Sequence, residues 1–392
     1  MESDLNLLTT QVTGEIVYGI DASSANKEKR TGVENYAREL IQALKAQPLK
    51  EQERVILYSP TVLDVELSVL PAGWRSQILK WPLNRGWMAF RMSWEMLRRR
   101  PSVLFVPSQS LPPLTKGRSG GVLTTIHDVA FARRPDLYDP AVRRRLKRVT
   151  KRAIKKASRI LVPSEATKQD LVDLYRVAAD RIVVTPEAVN TKVFHVYPPE
   201  DARATLQQHR LGTNFFLTVG RLEKKKNLTT LIRAFELFKT RRGVGDPFEL
   251  ILVGEPGYGY NEIKKYIELS IHKEFIRTLG YLPDTEVAPL MSAATAYLFP
   301  TWYEGFGIPN LEAMAEGTTL VTSDIPAHLE VVGDAGLLIP PGEPEAWAHA
   351  MERVVKEGSL RAELVQKGKQ RVSGFSWSKT AAMTLDSLRS LV

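Results

Sequence analysis

The sequence predicts an α/β chain of two domains, each built on a parallel sheet covered by helices. Short runs rich in β-branched and aromatic residues alternate with longer amphipathic stretches, the rhythm of strand–helix–strand units. At 392 residues the chain exceeds what one ordinary core organises and suits two domains. A break from His195 to Gly212, opened by Pro198-Pro199 and then polar, divides the runs into two series.

In the first series the strands are expected at Ile16–Ile20, Val55–Tyr58, Val103–Val106, Val122–Ile126, Ile160–Val162 and Ile182–Val184. In the second they are expected at Phe215–Val219, Leu250–Val253, Ala296–Phe299, Thr319–Thr322 and Leu337–Ile339. Between them the helical period is clear: Val33, Ala37, Leu40, Ile41 and Leu44 share one face. This places an N-terminal domain over 15–200, a C-terminal domain over 201–375, and a helix over 376–392 that packs back on the first domain. Residues 1–14 form an extension before the first strand. Parallel sheets bind ligands beyond the carboxyl ends of their strands, so the residues after each strand are the candidates for chemistry.

Composition narrows the classes. The chain has no cysteine, which excludes disulfides, thiolate metal sites and cysteine nucleophiles. The first residues lack the basic and apolar regions of a secretory signal, and no run of about 18 apolar residues occurs. A cytoplasmic protein is expected. The net charge of +10 calls for an anionic partner or surface.

The most informative stretch runs from Trp302 to Glu312, Trp-Tyr-Glu-Gly-Phe-Gly-Ile-Pro-Asn-Leu-Glu. It follows a strand and carries two glycines, then Pro309 at a natural helix start, with the helix expected to stop at Gly317. Glu304 falls in the loop and Glu312 is expected in the first helical turn. A carboxylate accepts two hydroxyl hydrogen bonds at once, and a helix N-terminus favours an anion such as a diphosphate. Around Val219-Gly220-Arg221, Arg221 and Lys226 flank one loop where a fork and a point charge can share a diphosphate, and Asn227 is placed to cap the next helix. Lys224 and Lys225 are read as solvated. His127, in Thr124-Thr125-Ile126-His127-Asp128, follows a buried strand and points into the cleft, with Asp128 orienting the loop. Gly32, in Arg30-Thr31-Gly32-Val33, opens the first helix, where backbone N–H groups can approach an anion.

Glu304 to Glu312 matches the E-x7-E pattern of retaining glycosyltransferases of the GT-B fold, and its context resembles glycosyltransferase family four. The resemblance runs from Tyr18-Gly-Ile-Asp21 to Phe375-Ser-Trp377. It implies two Rossmann-like domains facing each other across a cleft. It also implies that Glu304 contacts sugar hydroxyls, that Glu312 grips the ribose diol, and that Gly305, Phe306, Gly307 and Ile308 bind the donor. Arg221 and Lys226 then take the phosphates, Gly254 and Leu282 the nucleobase, and Gly32 closes over the donor. His127 and Glu304 are the catalytic candidates, His127 hydrogen bonding the sugar rather than acting as a general base. No metal and no resident cofactor is expected; the co-substrate is a GDP- or UDP-linked sugar, with mannose transferred to a glycan or lipid-linked acceptor. Ala188, in Pro186-Glu187-Ala188-Val189-Asn190, departs from the family's usual glycine.

Two further segments bear on partners. From Ala141 to Ile160 there are ten Lys or Arg and no acid. Val142, Leu146, Val149, Ala153, Ala157 and Ile160 make an apolar stripe read as core, leaving the charged face for peripheral contact with an anionic membrane at the inner face of the cytoplasmic membrane. Trp87, Phe90, Trp94 and Leu97 have helical spacing and are also read as core. A non-catalytic sugar-nucleotide-binding subunit is an alternative. A nucleic-acid-binding protein is disfavoured, because no aromatics interleave with the cations.

Overall fold

The computed structural model describes residues 14–28, 30–83, 85–114, 121–243 and 245–392. Apart from Gly14, the N-terminal extension lies outside them. The first sheet contains β1 (Ile16–Asp21), β2 (Glu53–Ser59), β3 (Trp74–Ile78), β4 (Val103–Val106), β5 (Gly121–Thr125), β6 (Arg159–Val162) and β7 (Ile182–Val184), in the order β3-β2-β1-β4-β5-β6-β7. The second contains β8 (Phe215–Val219), β9 (Glu249–Val253), β10 (Ile276–Gly280), β11 (Ala296–Phe299), β12 (Leu320–Ser323) and β13 (Leu337–Ile339), in the order β10-β9-β8-β11-β12-β13. Every pairing is parallel.

Strands such as β4 and β11 are buried throughout because helices cover both faces, which is why they read as unbroken apolar runs. β3 and β10 are not among the strands expected from the sequence. Both are edge strands with polar residues, Trp-Arg-Ser-Gln-Ile and Ile-Arg-Thr-Leu-Gly, half open to solvent. Strand order reverses between β1 and β4 and again between β8 and β11, and such switch points open crevices at the carboxyl ends.

The C-terminal helix Trp377–Arg389 crosses back to the first domain. Ala381, Leu385 and Leu388 join the core of Tyr36, Leu40 and Ile41, the inward face of helix Gly32–Lys45. Arg389 grips the buried Glu53 through two bonds of 2.8 Å, and this pairing holds the Glu53 carboxyl down to about 2.

Two expectations about packing fail. Between Trp87 and Met92 the chain makes a π turn, Met92 N–H donating to the Trp87 carbonyl five residues back at 2.9 Å. The wider turn shifts the inward stripe to Trp87, Met92 and Met96, leaving Phe90, Trp94 and Leu97 at 66%, 55% and 59% exposure. The basic helix runs Pro140–Lys156, so Ala157 and Ile160 lie beyond it, Ile160 on β6. Its stripe is core at Ala153 but opens at Val142, which is exposed. Among the described residues no helix is long and apolar enough to cross a membrane.

Candidate active site

The two sheets turn their carboxyl ends toward one another, and the loops beyond them enclose a cleft of about 590 Å³. From the first domain come Arg30, Gly32, His127 and Glu187; from the second come Arg221, Lys225, Lys226, Glu255, Leu282 and the stretch Glu304–Pro309. Gly32, His127, Arg221, Lys226, Gly254, Leu282, Glu304, Gly305, Phe306, Gly307 and Ile308 all line this space. Glu312 is set behind the lining, half-buried.

Glu304 is the electrostatic centre. Lys226 Nζ stands 2.8 Å from Oε1 and Lys225 Nζ 3.4 Å from Oε2, while the Thr301 hydroxyl donates to Oε1 at 3.1 Å. Burial opposes ionisation of this carboxyl, but the two ammonium groups outweigh it and hold it down to about 2. Glu304 is therefore a pure acceptor at neutral pH, suited to the hydroxyls of a sugar.

Lys225 was expected in solvent and is not there. The 3-10 turn Lys224–Lys226 ends at Asn227 with φ 51°, which swings Lys225 inward to lie 3.6 Å from Asp128 of the opposite domain. Burial disfavours its charge, but Glu304 and Asp128 more than offset that and raise its pKa. Lys224 alone of the three is exposed. Asn227 does not cap through its side chain as expected. Its amide donates to the Pro341 carbonyl and its Oδ1 accepts from the Thr230 hydroxyl at 2.7 Å. Arg221 is exposed at the cleft wall and has no carboxylate partner among the described residues, so its guanidinium is available to an anion.

His127 is fastened at both ring nitrogens, Nδ1 3.2 Å from Glu187 Oε1 and Nε2 3.3 Å from the Pro107 carbonyl, with Tyr36 edge-on at 4.5 Å. Glu187, buried after β7, went unnoticed in the sequence although it obeys the same rule as the other candidates, lying just past a strand's carboxyl end. Asp128 orients its loop by accepting the Ala130 N–H at 3.1 Å. Ala188 is buried and takes no left-handed conformation.

The loop ahead of helix Ile308–Ala315 is clamped between the domains. The Gly305 carbonyl accepts the Ser164 hydroxyl at 2.5 Å and the Thr167 hydroxyl at 3.1 Å, both from the first domain. A Cβ on Gly305 would come 1.9 Å from the His127 carbonyl oxygen, so only glycine permits this approach. Gly307 takes φ 98°, and a Cβ there would meet His328 Nε2 at 2.8 Å. Phe306 is among the lining residues, and its buried ring packs edge-on against Phe375. Pro309 has no N–H and the Asn310 N–H returns to the Gly307 carbonyl at 2.9 Å, so the backbone donor this helix start offers beside the cleft is that of Ile308.

Glu312 lies one turn into that helix, beyond the first turn where it was expected. Desolvation, and secondly the carboxylate of Asp284, push its pKa up to about 8. A raised carboxyl costs stability progressively as pH climbs from the unfolded value of 4.5 through 8, because the folded form must release its proton into an unfavourable place. Glu312→Gln is therefore expected to raise the melting temperature at pH 8–9, the gain vanishing toward pH 4–5. A gain independent of pH would contradict this electrostatic reading. No group of three His, Asp or Glu among the described residues is arranged to hold a metal ion.

Residues 30–193 match the family model described as Glycosyltransferase Family 4, and residues 203–371 match Glycosyl transferases group 1. The chain belongs to glycosyltransferase family four. The two matches meet at the same break that separates the sheets. The glycosyltransferase is 28% identical over 302 residues to an O-antigen chain mannosyltransferase B of Escherichia coli, covering 77% of each chain. In fold it is similar to sucrose-phosphate synthase from Thermosynechococcus elongatus, with TM-score 0.74 at 20% identity over 96% of this chain and 99% of that one. It is also similar to HepE from Anabaena, solved with UDP and glucose, with TM-score 0.71 at 18% identity over 96% and 100%. The two-domain architecture is therefore that of a GT-B enzyme, and its chemistry is glycosyl transfer from a sugar nucleotide.

Proposed function

We propose that this glycosyltransferase takes mannose from GDP-mannose and adds it, with retention of configuration and without a metal, to a growing glycan on a lipid-linked acceptor. The choice of mannose and of an envelope glycan is supported by the O-antigen chain mannosyltransferase to which it is similar. Metal independence is supported by the protein's own cations. Arg221, Lys225, Lys226 and the helix N-terminus after Gly307 surround the place where a departing diphosphate accumulates charge.

The observation that carries the reading is Glu304, an ionised acceptor between two lysines in the cleft that His127 also lines. In the proposed reaction the acceptor oxygen attacks the anomeric carbon from the face that the diphosphate leaves. The bond from that carbon to the phosphate oxygen breaks with its electron pair going to the phosphate, and the acceptor proton passes to the same departing phosphate. Glu304 holds the sugar by hydrogen bonds, His127 joins it when its Nε2 exchanges the Pro107 carbonyl for a sugar hydroxyl, and no carboxylate serves as a nucleophile. NMR of the product tests this. An α-mannoside formed at an undiminished rate in chelator is expected, whereas a β-mannoside, or activity restored only by a divalent cation, would overturn it.

A further inference from the structure

Helix Ser93–Arg98 and the π turn before it carry an apolar face that nothing among the described residues covers. Phe90, Trp94 and Leu97 lie at helical spacing with more than half their surface exposed, and Leu83 and Leu114 are exposed nearby. Trp81 stacks on Phe90 at 5.9 Å and Arg98 lies 5.8 Å over the Trp94 ring, so the aromatics are ordered outside the core rather than loosely placed. Large aromatics projecting together from a surface mark an interaction site.

The charge beside this face says what it meets. The basic helix Pro140–Lys156 lies on the same side of the first sheet, since its Ala153 packs in one cluster with Met92 and Met96. The segment between them ties the two together: Ser93 Oγ accepts the Leu114 N–H at 3.4 Å, and Thr150 donates to Gln109 at 3.3 Å. Arg143, Arg144, Arg145, Lys147, Lys151 and Arg152 are exposed, and none has a carboxylate within salt-bridge distance among the described residues. An aromatic ridge flanked by unneutralised cations suits the boundary between acyl chains and anionic headgroups. A nucleic acid would have no use for Leu97 and Leu83, and a protein partner of ordinary composition would leave the cations unmatched.

We infer that Phe90, Trp94 and Leu97 insert into the headgroup–acyl boundary of an anionic bilayer while the basic helix lies on its surface. The inference gives the lipid-linked acceptor proposed above a route to the enzyme and rests on that reading for its purpose. The full-length protein would be sedimented with phosphatidylcholine vesicles with and without phosphatidylglycerol. Binding is expected only where phosphatidylglycerol is present. Phe90→Ser/Trp94→Ser is expected to weaken it about tenfold or more. Arg144→Gln/Lys151→Gln is expected to weaken it roughly fivefold for each cation at low salt. Equal binding to both vesicles, or binding untouched by Phe90→Ser/Trp94→Ser, would overturn the inference. So would a wild type that ignores vesicles and instead passes from dimer to monomer on that double substitution, which assigns the face to a second copy. Donor hydrolysis without vesicles is expected to stay at the wild-type rate in both variants, so failure of membrane binding and failure of the catalytic reading appear in separate readouts.

Discussion

Glu304→Gln is expected to lower kcat/KM by about 10³-fold, on the basis that each charge-assisted hydrogen bond to the sugar contributes roughly 1.5–3 kcal/mol and two are weakened together. The substitution keeps the shape of the side chain and removes its charge. Lys226, now 2.8 Å from Glu304, and Lys225, 3.4 Å from it, then lose their main counter-charge, with only Asp128 left beside Lys225. Two consequences separate this from simple damage. Binding of free GDP is retained or strengthened, because lysines no longer tied to a carboxylate meet the diphosphate more readily. The loss appears in turnover rather than in nucleotide affinity. Steady-state kinetics beside a titration with GDP checks both, and near-normal turnover would remove Glu304 from the centre of the site.

Gly305→Ala is expected to cost about 10²-fold in rate, the penalty typical of a misplacement of about 1 Å at reacting groups. The added Cβ would stand 1.9 Å from the His127 carbonyl, and backbone on both sides leaves nothing flexible to yield. The domains must part at the point where Ser164 and Thr167 hold the Gly305 carbonyl, which carries Glu304 away from His127. Small-angle scattering should register a larger radius of gyration alongside the lost activity. Gly212→Ala, at a position with open space around it and no left-handed φ, should alter neither. An active, compact Gly305→Ala protein would mean that the contact between the loop and His127 is not part of the working enzyme.

What the sequence revealed follows from where physical signals are local. Buried parallel strands such as β4, β8 and β11 announce themselves as apolar runs, whereas β3 and β10 have one side in solvent and no such run. Glu304, Arg221, Lys226 and His127 were legible because each follows a strand at the end where ligands bind. Lys225 was not. Three consecutive lysines look alike until the fold turns Lys225 and Lys226 onto Glu304 and leaves Lys224 exposed. Phe90 and Trp94 have the spacing of a core stripe only if a 3.6-residue period runs through a turn that is in fact wider by one residue. Glu312's raised pKa comes first from burial and second from Asp284, and only the fold supplies either.

That the cleft between the sheets is a nucleotide-sugar site is tested by thermal stabilisation and donor hydrolysis across GDP- and UDP-sugars, read in the wild type and in Arg221→Ala. Selective stabilisation by GDP-mannose with its slow hydrolysis, both diminished by Arg221→Ala, is the predicted result. Indifference to every nucleotide sugar, or stabilisation that Arg221→Ala leaves intact, would contradict it.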